Sequence, residues 1–249
     1  MFPKDDYRIV TVPSGPTEEL MKRLTILVFT FLWCGILVDH QCFADDRGSW
    51  RPVGPEAVWH PSDKDIKSVF TECGSRHEGD FGTCFVAFMQ RHGASPEVVA
   101  FTKLVDDTGY LRAFRKVGPV DIAYVAYPFR ANTNYGYLLV NGQPPVVNVD
   151  DLAPVRDALA RSSSYRKLVA RFPKAAVWPG DRFSKRFPVT ERLKDGSYRF
   201  IVGYYVTDFC HACRVLARVR CSFDFDGSGK FLGVKVVGIA KPDARDGDR

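Results

Sequence analysis

Between Ser197 and Ile239, apolar and polar residues alternate with a period of two in three successive runs. In the middle run Val215, Ala217, Val219, Cys221, Phe223 and Phe225 take one side, and Leu216, Arg218, Arg220, Ser222 and Asp224 the other. Successive strand side chains point to opposite faces of a sheet, so this pattern predicts a half-buried antiparallel strand. The run before it groups Phe200, Val202, Tyr204 and Val206, and the run after it groups Leu232, Val234 and Val236. Cys210-His211-Ala212-Cys213 separates the first two runs, and Asp226-Gly227-Ser228-Gly229-Lys230 the last two. The stretch reads as a three-stranded meander.

Upstream the period is helical. Ser62 or Asp63 caps a helix whose Ile66, Val69, Phe70 and Cys73 fall at i, i+3, i+4 and i+7. After a polar loop from Gly74 to Gly82, a second helix starts near Thr83, carries Phe85, Phe88 and Met89 on one face and ends at Gly93. Ser95-Pro96 starts a third, with Val98, Phe101 and Val105 inward, because proline fits the first turn where its missing N–H costs nothing.

After Gly109 the texture turns to strands. They run from Tyr110 to Val117 and from Val120 to Tyr127. A hairpin then joins Tyr135–Val140 to Val146–Val149 through Asn141-Gly142, a pair suited to the positive φ of a tight turn. Pro144 and Pro145 place the second arm at a sheet edge. Asp150 or Asp151 caps a helix through Ala160, and Tyr165–Phe172 forms another, stopped by Pro173. Residues 173–196 read as loop. Helices and strands in separate runs predict an α+β fold: N-terminal helices packed on a mostly antiparallel sheet, with a C-terminal antiparallel meander.

The chain has 249 residues, and the first 44 read as processing segments. Met21-Lys22-Arg23 precedes fifteen uncharged residues, Leu24–Val38, and then Cys42-Phe43-Ala44 before Asp45. A basic start, an apolar core and small residues at the cut describe a signal peptide over 21–44, with 1–20 an upstream extension. A membrane anchor is the rival, but a spanning helix needs roughly 20 apolar residues. A helical front with central strands is expected over 45–150, two helices and the meander over 151–240, and a mobile tail over 241–249. Trp50 and Trp59 are expected to pin the lead-in, residues 45–61, to the body.

Four of the 35 basic and five of the 29 acidic residues fall in 1–44, which leaves 31 against 24 and a net charge of +7. In an exported chain, periplasmic or secreted, that charge suits anionic partners such as envelope polymers or acidic head groups, so the expected partner is an anionic envelope polymer, a carbohydrate or a protein rather than nucleic acid. No membrane span is expected after signal removal.

Candidate chemistry begins with the cysteines. Cys210-His211-Ala212-Cys213 lacks the following histidine of haem attachment, has Arg214 instead, and has no second CxxC to complete a zinc set. A strand follows it where a redox site would have a helix. It reads as a structural disulfide. Cys73 and Cys84 flank an inter-helix loop and read as a second, leaving Cys221 as a buried free thiol. No metal site and no cofactor are expected. Asp224-Phe225-Asp226-Gly227-Ser228-Gly229 opens like a calcium loop, but position twelve is Lys235 and strands flank it, so it reads as a hairpin turn.

Gly82-Thr83-Cys84-Phe85-Val86-Ala87-Phe88 resembles the Gly-Ser-Cys-Trp-Ala-Phe run of papain-like proteases. Gly93-Ala94-Ser95-Pro96 has a passing similarity to transglutaminase-like enzymes. The resemblance implies an alternative role as a thiol-dependent hydrolase or acyl transferase. Cys84 would be the nucleophile, His211 the base and Asp224 or Asp226 the orienting carboxylate. The favoured reading is a non-catalytic binding module, with Tyr127, Phe129, Arg130, Asn132 and Asn134 lining an exposed contact surface, since flat rings and amides serve carbohydrate or peptide contacts.

Overall fold

The computed structural model describes residues 51–74, 81–130, 134–180 and 187–242, which belong to one compact unit. The expected extension 1–20, the signal peptide 21–44, Trp50, Asn132 and most of the tail lie outside the described residues.

A single 3-10 turn, Pro55–Ala57, precedes three helices, α1 (Asp63–Cys73), α2 (Phe81–Arg91) and α3 (Pro96–Leu104). Local chemistry sets their starts. The Ser62 side chain accepts the Asp65 N–H while Asp65 accepts the Ser62 N–H, a reciprocal capping box. Ser95 caps α3 with Pro96 in its first turn.

Four strands follow, β1 (Tyr110–Arg115), β2 (Asp121–Ala126), β3 (Tyr135–Val140) and β4 (Val146–Asn148), in antiparallel order β1-β2-β3-β4. After α4 (Leu152–Arg161) and α5 (Ser163–Arg171) come β5 (Ala175–Pro179), β6 (Val189–Arg192), β7 (Tyr198–Asp208), β8 (Val215–Phe225) and β9 (Phe231–Ala240). The second sheet runs β5-β7-β8-β9, with β6 also paired to β7, and every pairing is antiparallel. The fold is α+β, and β7–β9 form the C-terminal meander.

Three details differ from the sequence expectation. The stretch 173–196 contains two strands, since β5 pairs with the far half of β7 and β6 with its near half. The hairpin of β3 and β4 pairs Val140 with Val146, so its connection spans residues 141–145 rather than a two-residue turn. Leu232 is exposed, because Phe225 pairs with Phe231 and Asp224 with Gly233, which makes Leu232 the extra residue of a bulge.

The largest core lies between the two sheets. Ile122, Tyr124 and Leu139 of the first meet Phe200, Tyr204, Val219 and Phe223 of the second, and Val155 and Leu159 of α4 join them. The other face of the first sheet is covered by Phe101 and Val105, with Val53 and Ala57 of the lead-in. Residues of α1 and α2 close one end against Tyr110 and Ala126. All six residues of β2 are buried, which requires a partner for the carboxylate of Asp121. It accepts from the Val117 and Gly118 N–H groups at 2.8 and 3.3 Å and from Asn141 Nδ2 at 2.8 Å. Asn141 in turn holds both backbone groups of Val53, at 2.8 and 2.9 Å.

Asn141 sits at φ 70°, a conformation glycine adopts more readily. Asn141→Gly should therefore relieve the backbone yet lower stability by about 1–3 kcal/mol, because it strands the Asp121 carboxylate and the Val53 backbone. An unchanged denaturation midpoint would show that the side-chain bridge contributes nothing.

Candidate functional site

The end of the first sheet nearest α1 carries a cleft of about 420 Å³. That volume lies within the roughly 300–1,000 Å³ typical of small-molecule sites. Register builds its floor. Tyr110 pairs with Ala126, and Ala126 pairs with Tyr135, so a small residue separates two tyrosines across three strands. The lead-in forms one wall. The backbone N–H of Trp59 donates to the Leu111 carbonyl at 2.9 Å, and the indole stands edge-on to the Tyr110 ring at 5.1 Å. His60, Asp63 and Lys67 line the α1 side, and Asn134 and Pro128 the opposite rim.

Arg112 is aimed into the cleft by an irregularity. The register of β1 on β2 shifts between Leu111 and Ala113, which leaves Arg112 as an extra residue without a cross-strand partner. Such bulges redirect side chains. Arg112 Nη1 donates to the Tyr135 hydroxyl at 3.2 Å, and its guanidinium stands 5.4 Å from the Tyr135 ring centre. Among the described residues no carboxylate pairs with Arg112 or Lys67. Burial pushes the Tyr110 phenol up, against the Arg112 charge that pulls it down, so the hydroxyl stays a proton donor at neutral pH. The cleft thus joins the half-buried Tyr135 ring and the largely buried rings of Trp59 and Tyr110 with hydroxyl and amide groups and with two cations against one acid.

A second cleft, about 600 Å³, runs along β7–β9 past Gly203, Arg218 and Gly238. Its lining is mainly apolar, so it offers fewer converging polar groups.

The stretch singled out in sequence contributes differently than expected. Tyr127 is buried rather than exposed, with the Arg130 guanidinium 3.5 Å from its ring centre and its phenol pushed up to about 12 by burial. Phe129 is half-buried among Phe70, Phe81 and Phe85, at centroid distances of 5.0, 4.0 and 5.3 Å. Both rings are internal anchors. Asn134, by contrast, lines the cleft, and its carbonyl accepts from the Tyr127 N–H at 2.7 Å. Lys67, Tyr110 and Arg112 escaped the sequence reading, and Trp59 entered it only as an anchor of the lead-in.

The cysteines form two disulfides, Cys73–Cys84 between α1 and α2, and Cys210–Cys213 at the β7–β8 turn. Cys221 is free and buried, and burial pushes its thiol up to about 12. The residues of the thiol-enzyme alternative are not brought together. Cys84 Sγ is bonded to Cys73, and His211 packs edge-on to Trp178 at 5.4 Å. Asp224 stands nine positions along β8 from Val215, roughly 30 Å at about 3.3 Å per strand residue, too far to orient His211. Its carboxylate is held by Arg199 at 2.9 and 3.2 Å and by Lys235 at 3.0 Å. Asp226 accepts from the Ser228 and Lys230 N–H groups, both at 2.9 Å, in its own hairpin turn.

Among the described residues no helix is long and apolar enough to cross a membrane, and no group of three or more His, Cys, Asp or Glu could hold a metal ion. Two disulfides fit a chain that folds in an oxidising compartment.

Two outcomes test this account. Cys84 should resist alkylation in the native protein. Cys73→Ser should cost about 2–4 kcal/mol and make Cys84 reactive, whereas rapid labelling of untouched Cys84 would restore the enzyme alternative. For Asp224, burial raises the carboxyl pKa, but hydrogen bonds from Arg199 and Lys235 outweigh it and hold the group below its ordinary value. A depressed folded value means stability present above the unfolded pKa of about 3.9 and lost as pH falls through the folded one. Asp224→Asn should lower the neutral melting temperature and flatten the loss below about pH 4. An unaltered acid profile would contradict it.

No known protein family matches the sequence, and no curated protein or solved structure matches it either, so the functional reading rests on the cleft and its chemistry.

Proposed function

We propose that the protein is an exported, non-catalytic binding module of the cell envelope, periplasmic or secreted, and that its cleft takes an acidic sugar unit of an envelope polymer. One observation carries this reading. Aromatic walls from Trp59, Tyr110 and Tyr135 converge with a guanidinium, Arg112, that has no carboxylate partner among the described residues. Sugar rings present flat apolar faces and many hydroxyls, which aromatic rings and amides complement. A sugar carboxylate would meet the planar fork of Arg112, a geometry suited to paired hydrogen bonds. The net charge of +7 left after residues 1–44 favours acidic over neutral polymers. Export is supported by the two disulfides.

Calorimetric titration with uronic-acid oligosaccharides and with their carboxyl-reduced counterparts tests the reading. The acidic form should bind and the reduced form should bind at least tenfold more weakly, a difference of about 1.4 kcal/mol. Arg112→Ala should reproduce that loss and Arg112→Lys recover part of it. Equal affinity for the two forms, or indifference to Arg112→Ala, would sink the assignment.

A further inference from the structure

We propose that the outer face of α5, together with the β7–β8 tip, docks on an anionic lipid surface. Charge is the first observation. From Arg156 to Lys174 the chain carries six cations, Arg156, Arg161, Arg166, Lys167, Arg171 and Lys174, against the single acid Asp157. All six are exposed. No residue of α5 is fully buried, and Tyr165 and Leu168 hold the helix to the core. Lys167 and Arg171 stand at i and i+4 on the helix, so they share one side, and Lys174 follows in the exposed turn just past its end.

The second observation joins this face to the hairpin tip. The Arg171 guanidinium lies 5.3 Å from the Phe172 ring centre, and that of Arg214 lies 5.6 Å from the same ring. Two like charges therefore share one aromatic platform. Arg214 pairs with Asp208 at 3.4 Å, an exposed contact that contributes little in water. A phosphate reaching this platform could pair with either guanidinium.

The third observation selects a bilayer over a soluble polyanion. Phe209, directly before the Cys210–Cys213 bridge, is 66% exposed and holds a left-handed φ of 86°. That conformation is costly for an aromatic residue. The turn is nonetheless closed by the disulfide, by Cys213 N–H to the Cys210 carbonyl at 3.0 Å and by Asp208 N–H to the Arg214 carbonyl at 2.9 Å. An aromatic ring projected beside a cation cluster suits the headgroup–acyl boundary, where the ring sinks and the cations stay with the phosphates. A linear polyanion would give the ring nothing to enter.

Vesicle co-sedimentation of the full chain provides the test. Binding to phosphatidylglycerol–phosphatidylcholine vesicles should exceed binding to pure phosphatidylcholine and should fall as salt rises. Each cation at an anionic surface is worth about fivefold in partitioning, so K167E/R171E/K174E should lose at least tenfold. Phe209→Ser should lose severalfold with the salt dependence unchanged. If the charge-reversed chain melts abnormally, K167Q/R171Q gives the same reading at smaller amplitude. Equal binding to charged and neutral vesicles overturns the proposal, as does anionic binding that ignores the cation substitutions. Equally tight binding to dextran sulfate without any Phe209 contribution would replace the membrane with a soluble polyanion.

Discussion

A strand buried on both faces has no water to satisfy its polar groups, and β2 is such a strand. Its one charged side chain, Asp121, is met by two backbone N–H groups and by Asn141, and Asn141 clamps Val53. The consequence travels outward. Fixing Val53 fixes the lead-in, which brings Trp59 beside β1, where its backbone N–H reaches Leu111 and its ring meets Tyr110. One wall of the cleft is thus a downstream effect of neutralising a buried carboxylate.

The second sheet is fastened to the first by a few directed bonds as well as by the shared core. The Tyr204 hydroxyl donates to the Val149 carbonyl at 2.5 Å, across the inter-sheet layer. At one end, Gln143 N–H donates to the Gly229 carbonyl and Phe231 N–H to the Gln143 carbonyl, both at 2.8 Å. The 141–145 connection therefore spends its length docking on the β8–β9 turn. A two-residue turn could not reach that far, which explains why Asn141-Gly142 does not close the hairpin. Gly142 is needed there, since a Cβ would lie 2.8 Å from the Gly229 carbonyl oxygen.

What could be read from the sequence follows from how each element is stabilised. The sequences of β7 and β8 place apolar residues at every second position over eleven residues each, and the capping of α1 and α3 is written in Ser62, Asp65, Ser95 and Pro96. By contrast β5 and β6 are short, lack clear alternation and form because β7 offers each half of its edge. Leu232 kept the expected spacing, but a bulge turned it outward. The cleft was mostly illegible because Trp59, Lys67, Arg112 and Tyr135 come from four separate segments that only tertiary packing unites. The contact surface expected over 127–134 pointed to the right region through Asn134, while its most conspicuous rings, Tyr127 and Phe129, turned inward as anchors.

The bond between Cys73 and Cys84, 11 positions apart, also alters what a break in the backbone means. It closes a covalent ring through the α1–α2 connection. A protease that cuts once inside that ring leaves one molecule instead of two, with α1 still fastened to α2 through sulfur. Wherever such cuts are frequent and reductants scarce, connectivity at this point is stored twice, once in the peptide chain and once in the disulfide.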